Sequence, residues 1–172
     1  MENLNKRKQP LPSLTFRTGT EADLLRCAEL WMRALALRDG TRTDPRVRQR
    51  ALAKLGVPGS ILSIAETGSK TQGFALAIDK TTPGAARRAH LALLAVDPVS
   101  QSYGVGRSLL ANITQLLMTE GFAEATLGVL EENIAARKIY ENAGWLVAGH
   151  GVFQDSGRPC IHYLLRLEAP AA

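Results

Sequence analysis

The stretch from His90 to Glu120 restricts the fold more than any other part of the chain. Leu91-Ala92-Leu93-Leu94-Ala95-Val96 is an uncharged apolar run closed by Asp97-Pro98. A short run that stops at a proline predicts a strand buried on both faces. A polar turn follows, Gln101-Ser102-Tyr103-Gly104-Val105-Gly106-Arg107. Then Leu109, Leu110, Ile113, Leu116 and Leu117 recur at the spacing of a helix packed on a sheet. Gly121 stands where a glycine ends such a helix. Ala125 to Val129 reads as the next strand, and strand, long helix, strand implies a parallel pair joined by a crossover.

A glycine turn that opens a helix has a chemical use. The first amides of a helix are unpaired and carry partial positive charge, and glycines let a diphosphate approach them. Arg107 and Ser108 add a cation and a hydroxyl at the same end. On its own the pair Gly104 and Gly106 serves equally well as a tight turn. Two phosphate loops are excluded: no G-x-x-x-x-G-K-[ST] string occurs, and Leu109 stands where a dinucleotide fingerprint needs a third Gly or Ala.

The rest of the chain supplies a sheet for this unit. Thr15 to Thr18 is a short first strand, and Thr20 to Asp23 forms a capping box. Leu24, Ala28, Trp31, Met32 and Leu35 mark an amphipathic helix ending before Asp39-Gly40. Asp44-Pro45 caps a second helix that Gly56 stops. Ser60 to Glu66 and Gln72 to Asp79 read as strands joined by a loop at Thr67 to Thr71. Asn133 opens the last helix, Gly144 ends it, and Trp145 to Gln154 with Pro159 to Leu167 form a closing hairpin. The expectation is an α/β mixed sheet with an antiparallel front half, one parallel crossover and helices on both faces. At 172 residues, one domain over 13–168 is expected, preceded by a disordered basic tail from Met1 to Pro12.

That tail has no apolar core, so it does not read as a secretory signal, and no apolar stretch has the length of a membrane span. A cytoplasmic location is the expectation. Cys27 and Cys160 form no CxxC pair and read as buried free thiols. The three histidines lack metal spacing, and no G-x-S-x-G elbow occurs, so neither a metal site nor a serine nucleophile is expected. The net charge of +5 reads as solvated surface; it also suits an anionic cofactor. No nucleic-acid-binding motif accompanies it, so nucleic acid is not expected as a partner.

Two ordered motifs resemble those of the GNAT N-acetyltransferase superfamily. The first is Q-x-x-G-x-G after an L-A-V-D-P strand. The second begins at Leu127-Gly128-Val129 and continues through Asn133, Ala136, Tyr140 and Gly144, with Trp145 where the family pattern has Phe. The resemblance covers about Thr15 to Leu167. It implies a GNAT-like mixed sheet of about seven strands with about four helices. It also implies a gap between the fourth and fifth strands that admits the pantetheine arm of acetyl-CoA. Leu94, Ala95 and Val96 would pair with that arm, and the amides from Gln101 through Ser102, Tyr103, Gly104, Val105, Gly106 and Arg107 to Ser108 would cradle the pyrophosphate. Asn133 and Ala136 belong to the same binding set. The helical pair near Trp31 commonly borders the acceptor in this family, and a homodimer is common.

The resemblance makes Tyr140 the candidate general acid, at the position the family reserves for it; it is also placed as a core tyrosine would be. His90 falls where some members carry a base glutamate, and an imidazole can take a proton from an amine at neutral pH. Glu66 and His162 are alternatives. The expected function is transfer of an acetyl group from acetyl-CoA to a primary amine by direct attack. A second class fits the same motifs: an acyl-CoA-binding sensor that has lost catalysis. No motif identifies the acceptor.

Overall fold

The computed structural model describes residues 13–168; the tail expected from Met1 to Pro12 lies outside them. In chain order the elements are β1 (Thr15–Thr18), α1 (Leu24–Asp39), α2 (Pro45–Leu55), β2 (Ile61–Thr67), β3 (Lys70–Asp79), β4 (Arg88–Val96), α3 (Val105–Thr119), β5 (Glu124–Leu130), α4 (Ile134–Asn142), β6 (Leu146–Val152) and β7 (Pro159–Arg166). Short 3-10 turns precede α1 and follow β4. The strands form one sheet in the order β1-β2-β3-β4-β5-β7-β6. Only the β4–β5 pair is parallel, as the long helix between them requires.

Two cores sandwich the sheet. One joins α3 and Tyr140 of α4 to the sheet through Leu109, Leu110, Ile113, Leu127 and Tyr163. The other joins α1 and α2 to the opposite face through Cys27, Leu30, Leu55, Phe74 and Leu93. The pairing of β4 explains why its sequence is apolar at every position from Leu91 to Val96. Leu93 pairs with Leu76 and Leu91 with Ala77, so Ala92 is an extra residue, a β-bulge. The bulge shifts the alternation by one. Ala89 and Leu91 lie in the α3 core, whereas Leu93 and Ala95 lie in the α1–α2 core.

The β2–β3 connection is tighter than the loop expected at Thr67 to Thr71. Thr67 pairs with Lys70, leaving a two-residue turn with Gly68 at φ +60°. A glycine at the first central position is the II′ signature. Polar Thr71 reads as loop and Gln72 as the first residue of the strand, and both side chains are buried in β3. Gln72 also anchors the turn after β4. Its carbonyl accepts from the Asp97 amide at 2.7 Å, and its side-chain oxygen accepts from the Ser100 hydroxyl. Gly73 beside it has a packing reason: a Cβ there would lie 2.6 Å from the Ala95 carbonyl and 2.8 Å from Leu109.

Candidate active site

The parallel ladder between β4 and β5 is short. Arg88 pairs with Glu124, Ala89 with Ala125 and His90 with Thr126, and there it ends, although both strands continue. Beyond His90 the two strands line a cleft of about 1360 Å³ instead of bonding to each other. Backbone N–H and C=O groups are obligatory hydrogen-bonding groups, so a strand edge open to a cleft is a template for an extended partner. Leu94, Ala95 and Val96 are on this edge and line the cleft.

The turn after β4 forms one mouth of the cleft. Asp97 caps it, accepting from the Val99 amide at 3.1 Å, and Gln72 holds it from below. Ser102 and Gly104 both take left-handed backbone, at φ 71° and 80°, on either side of Tyr103. Alternation of this kind turns successive amides toward one side, which suits an anion. Ser108 is the first residue of α3 whose amide is bonded, to the Gly104 carbonyl at 3.1 Å. The amides of Val105, Gly106 and Arg107 have no backbone partner among the described residues, and the exposed Arg107 has no ion pair there. Gly106 is placed differently. It is buried where the start of α3 meets β4 and α4, and a Cβ there would reach only ordinary contact with Val96, Ile139 and Leu94.

α4 forms the facing wall. Asn133 caps it by accepting from the Ala136 amide at 3.2 Å through Oδ1, which leaves its Nδ2 donors for the cleft it lines. Tyr140 lies two helical turns later, buried against Trp145 and Tyr163 at ring-centroid distances of 6.1 and 6.2 Å. Its hydroxyl has no hydrogen-bond partner among the described residues, although the residue lines the cleft. Burial pushes the phenol up to about 12. Tyr140 thus belongs to the α3 core and also lines the cleft.

A comparison with protein-family models matches residues 24–145 to the family described as Acetyltransferase (GNAT). The chain belongs to the GNAT acetyltransferase family. Acetyl-CoA is the co-substrate this assignment carries, and the open β4 edge, the unpaired amides of the turn and the unpartnered Tyr140 fit such a group. Among curated proteins, the mycothiol acetyltransferase of Brachybacterium faecium is 32% identical over 156 residues, covering 84% of this chain and 46% of the relative. The chain thus spans about half the length of that relative. The ribosomal-protein-S18-alanine N-acetyltransferase of Escherichia coli superposes with a TM-score of 0.72 at 23% identity, covering 92% of this chain and 97% of that one. The Salmonella typhimurium protein yncA, solved with its cofactor acetyl-CoA, gives 0.68 at 20% identity, covering 93% and 97%. These two likenesses establish the GNAT fold.

Most of the residues the sequence singles out come together. Leu94, Ala95, Val96, Gln101, Ser102, Gly104, Val105, Gly106, Arg107, Asn133, Ala136, Tyr140 and His90 all line the cleft. Tyr103 and Ser108 do not; Tyr103 packs on the α3 core instead. His90 is the last residue of the β4–β5 ladder, at the vertex of the gap. Its Nδ1 is 2.9 Å from the Thr126 hydroxyl. Burial first, then the charges of Lys54, Lys80 and His162, hold its pKa below the usual value, so it is neutral at pH 7. Glu66 is elsewhere, paired with Arg17 at 2.8 Å, and does not line the cleft. His162 does line it, on the strand neighbouring Gly128. Gly151 makes room for its ring, since a Cβ there would lie 3.0 Å from Nε2, whereas a Cβ on Gly128 would crowd Phe153 at 3.3 Å.

Sequence reasoning missed the far rim of the cleft. Arg158, in the β6–β7 turn, reaches Asp39 at the end of α1 at 3.3 Å and also pairs with Glu132 before α4. These three residues are 119 and 26 positions apart, and no local pattern relates them. Trp31 packs on the α1–α2 core and lines the cleft as well, so neither reading of it excludes the other.

Proposed function

We propose that this protein transfers an acetyl group from acetyl-CoA to the primary amine of an acceptor by direct attack, with Tyr140 as the general acid. The observation that carries the proposal is the unpartnered Tyr140 hydroxyl on the wall of a strand gap whose mouth is an anion-accepting turn. When bound, acetyl-CoA supplies the activated acetyl group as a thioester.

The chain's own residues divide the work. The amides of Val105, Gly106 and Arg107 and the Arg107 guanidinium hold the diphosphate. The open edge at Leu94, Ala95 and Val96 receives the pantetheine as an added strand would, and an amide there polarises the thioester carbonyl. Asn133 Nδ2 donates to the same arm. An alkyl ammonium with a pKa near 10.4 must lose a proton before it can attack. His90 accepts that proton: with Nδ1–H donating to Thr126, the Nε2 lone pair is free, and its depressed pKa keeps it unprotonated. As the amine nitrogen bonds to the acetyl carbon and the carbon–sulfur bond breaks, Tyr140 donates toward the departing sulfur, and the proton that the attacking nitrogen sheds restores the phenol through water.

The test pairs calorimetric titration with acetyl-CoA and a thiol-release assay over a broad amine panel. Binding together with amine-dependent thiol release is expected. Binding without turnover on any amine would refute the enzyme and leave a sensor.

A further inference from the structure

The basic side chains of α2 divide by direction. Arg46 and Arg48, which do not line the cleft, have carboxylate partners: Asp44 at 3.1 Å and Glu29 at 4.0 Å. Arg50 and Lys54 stand on the stripe that lines the cleft, one turn apart, and have no ion pair or hydrogen bond among the described residues. Both are exposed at the rim of the cleft, and like charges one turn apart repel, so the pair is open to an anion from solution. Two of the carboxylates that line the cleft have other partners, although Asp44 also feels the charge of Arg50. Asp39 is held by Arg38 at 2.9 Å and by Arg158, and Asp44 by Arg46. Asp155 also lines the cleft, on the exposed tip of the β6–β7 turn.

The diphosphate of acetyl-CoA does not explain Lys54. Lys54 is close enough to His90 for its charge to be felt there. His90 begins the open part of β4, and the anion-accepting turn follows its other end at Val96. At about 3.3 Å per residue that separation is roughly 20 Å along the strand, more than twice the screening length of about 8 Å at physiological salt. The two cations are thus left for a second anion at the His90 end.

We infer that the acceptor is a small-molecule amine that carries its own carboxylate or phosphate, held by Arg50 and Lys54 while its amine faces His90. The inference rests on the acetyl-transfer reading and narrows it. It excludes polyamines and polycationic amino sugars as preferred acceptors, because an additional ammonium would meet two unpaired cations.

Matched pairs test it. Each pair shares an amine and differs in the anion: lysine with 1,5-diaminopentane, arginine with agmatine, and O-phosphoethanolamine with ethanolamine. Equilibrium binding to the protein saturated with CoA is measured by calorimetry, beside kcat/KM for thiol release. The anionic member of at least one pair is expected to bind ten times tighter or more, and the responding pair distinguishes carboxylate from phosphate. Lys54→Gln with Arg50→Gln is expected to abolish that preference while the acetyl-CoA Kd stays within twofold. Equal binding within every pair, a preference for the members without the anion, or a preference that survives the double substitution would overturn the inference. Failure of the acetyl-transfer reading looks different: thiol release stays absent with every amine, while the binding preference is still measured.

Discussion

Replacing Tyr140 by Phe removes one oxygen and leaves the ring packed on Trp145 and Tyr163. The hydroxyl has no partner among the described residues, so the change orphans no buried group, and the midpoint of unfolding is expected to move little. The catalytic cost follows from the phenol's pKa, pushed up to about 12 by burial. An ordinary thiol near 8.5 is a stronger acid by about 3.5 pKa units, so complete proton transfer to its thiolate would be uphill by about 5 kcal/mol. Burial in the same cleft also raises the thiol and narrows that gap. The useful contribution is then a hydrogen bond to sulfur as charge develops. A bond to a charged group is worth about 1.5 to 3 kcal/mol, or roughly ten- to hundredfold in rate. Single-turnover thiol release with saturating acetyl-CoA and amine is expected to fall by that factor, with an unchanged acetyl-CoA Kd by calorimetry. Normal turnover in a folded Tyr140→Phe protein under chemistry-limited conditions would refute the reasoning. A loss of affinity with turnover intact would place Tyr140 in the binding shell only.

Other outcomes follow from the same geometry. Gly104 has left-handed backbone and open space around it, so Gly104→Asp should fold yet set a carboxylate at the unpaired amides; acetyl-CoA affinity is expected to fall at least tenfold, about 1.4 kcal/mol, with Gly104→Asn as the control for backbone strain. Because the His90 pKa is depressed, its contribution to stability is complete above about pH 6.5 and is lost as pH falls through the lower folded value. The acid limb of the pH–rate profile should likewise lie below pH 6.5, and His90→Ala should remove that limb and recover activity at high pH; a profile parallel to the unsubstituted protein would place the base elsewhere. Gly73→Ala pushes a methyl against the Ala95 carbonyl and Leu109, and denaturant titration should show a loss of about 1 to 3 kcal/mol.

The sequence was most legible where one residue type answers one local demand. The apolar run of β4, the stripe of α3, and the caps at Asp44 and Asn133 are set within a turn or two of chain, and the structure keeps them. The bulge at Ala92 was not legible. From Leu91 to Val96 no polar residue marks where the alternation slips, and the slip shows only in the pairing with β3. The divergence of β4 from β5 came from the resemblance, since periodicity says nothing about where a ladder stops. Gln72 read as the start of a strand, but nothing local showed that its polarity is spent inside, on the turn that follows β4. The acceptor side was hidden for a different reason. His90, His162, Lys54 and Arg158 come from four separate elements, and only the fold brings them around one cleft.

The central claim is that the open edge of β4 and the turn after it receive acetyl-CoA. Amide hydrogen exchange with and without saturating CoA tests it most directly, because it reads the backbone groups themselves and requires no knowledge of the acceptor. CoA is expected to slow exchange in the segments holding Leu94 to Val96 and Gln101 to Ser108, and to leave the β1–β2 edge of the sheet unchanged. Saturated binding with unaltered exchange in those two segments, or with protection confined to another face, would contradict it.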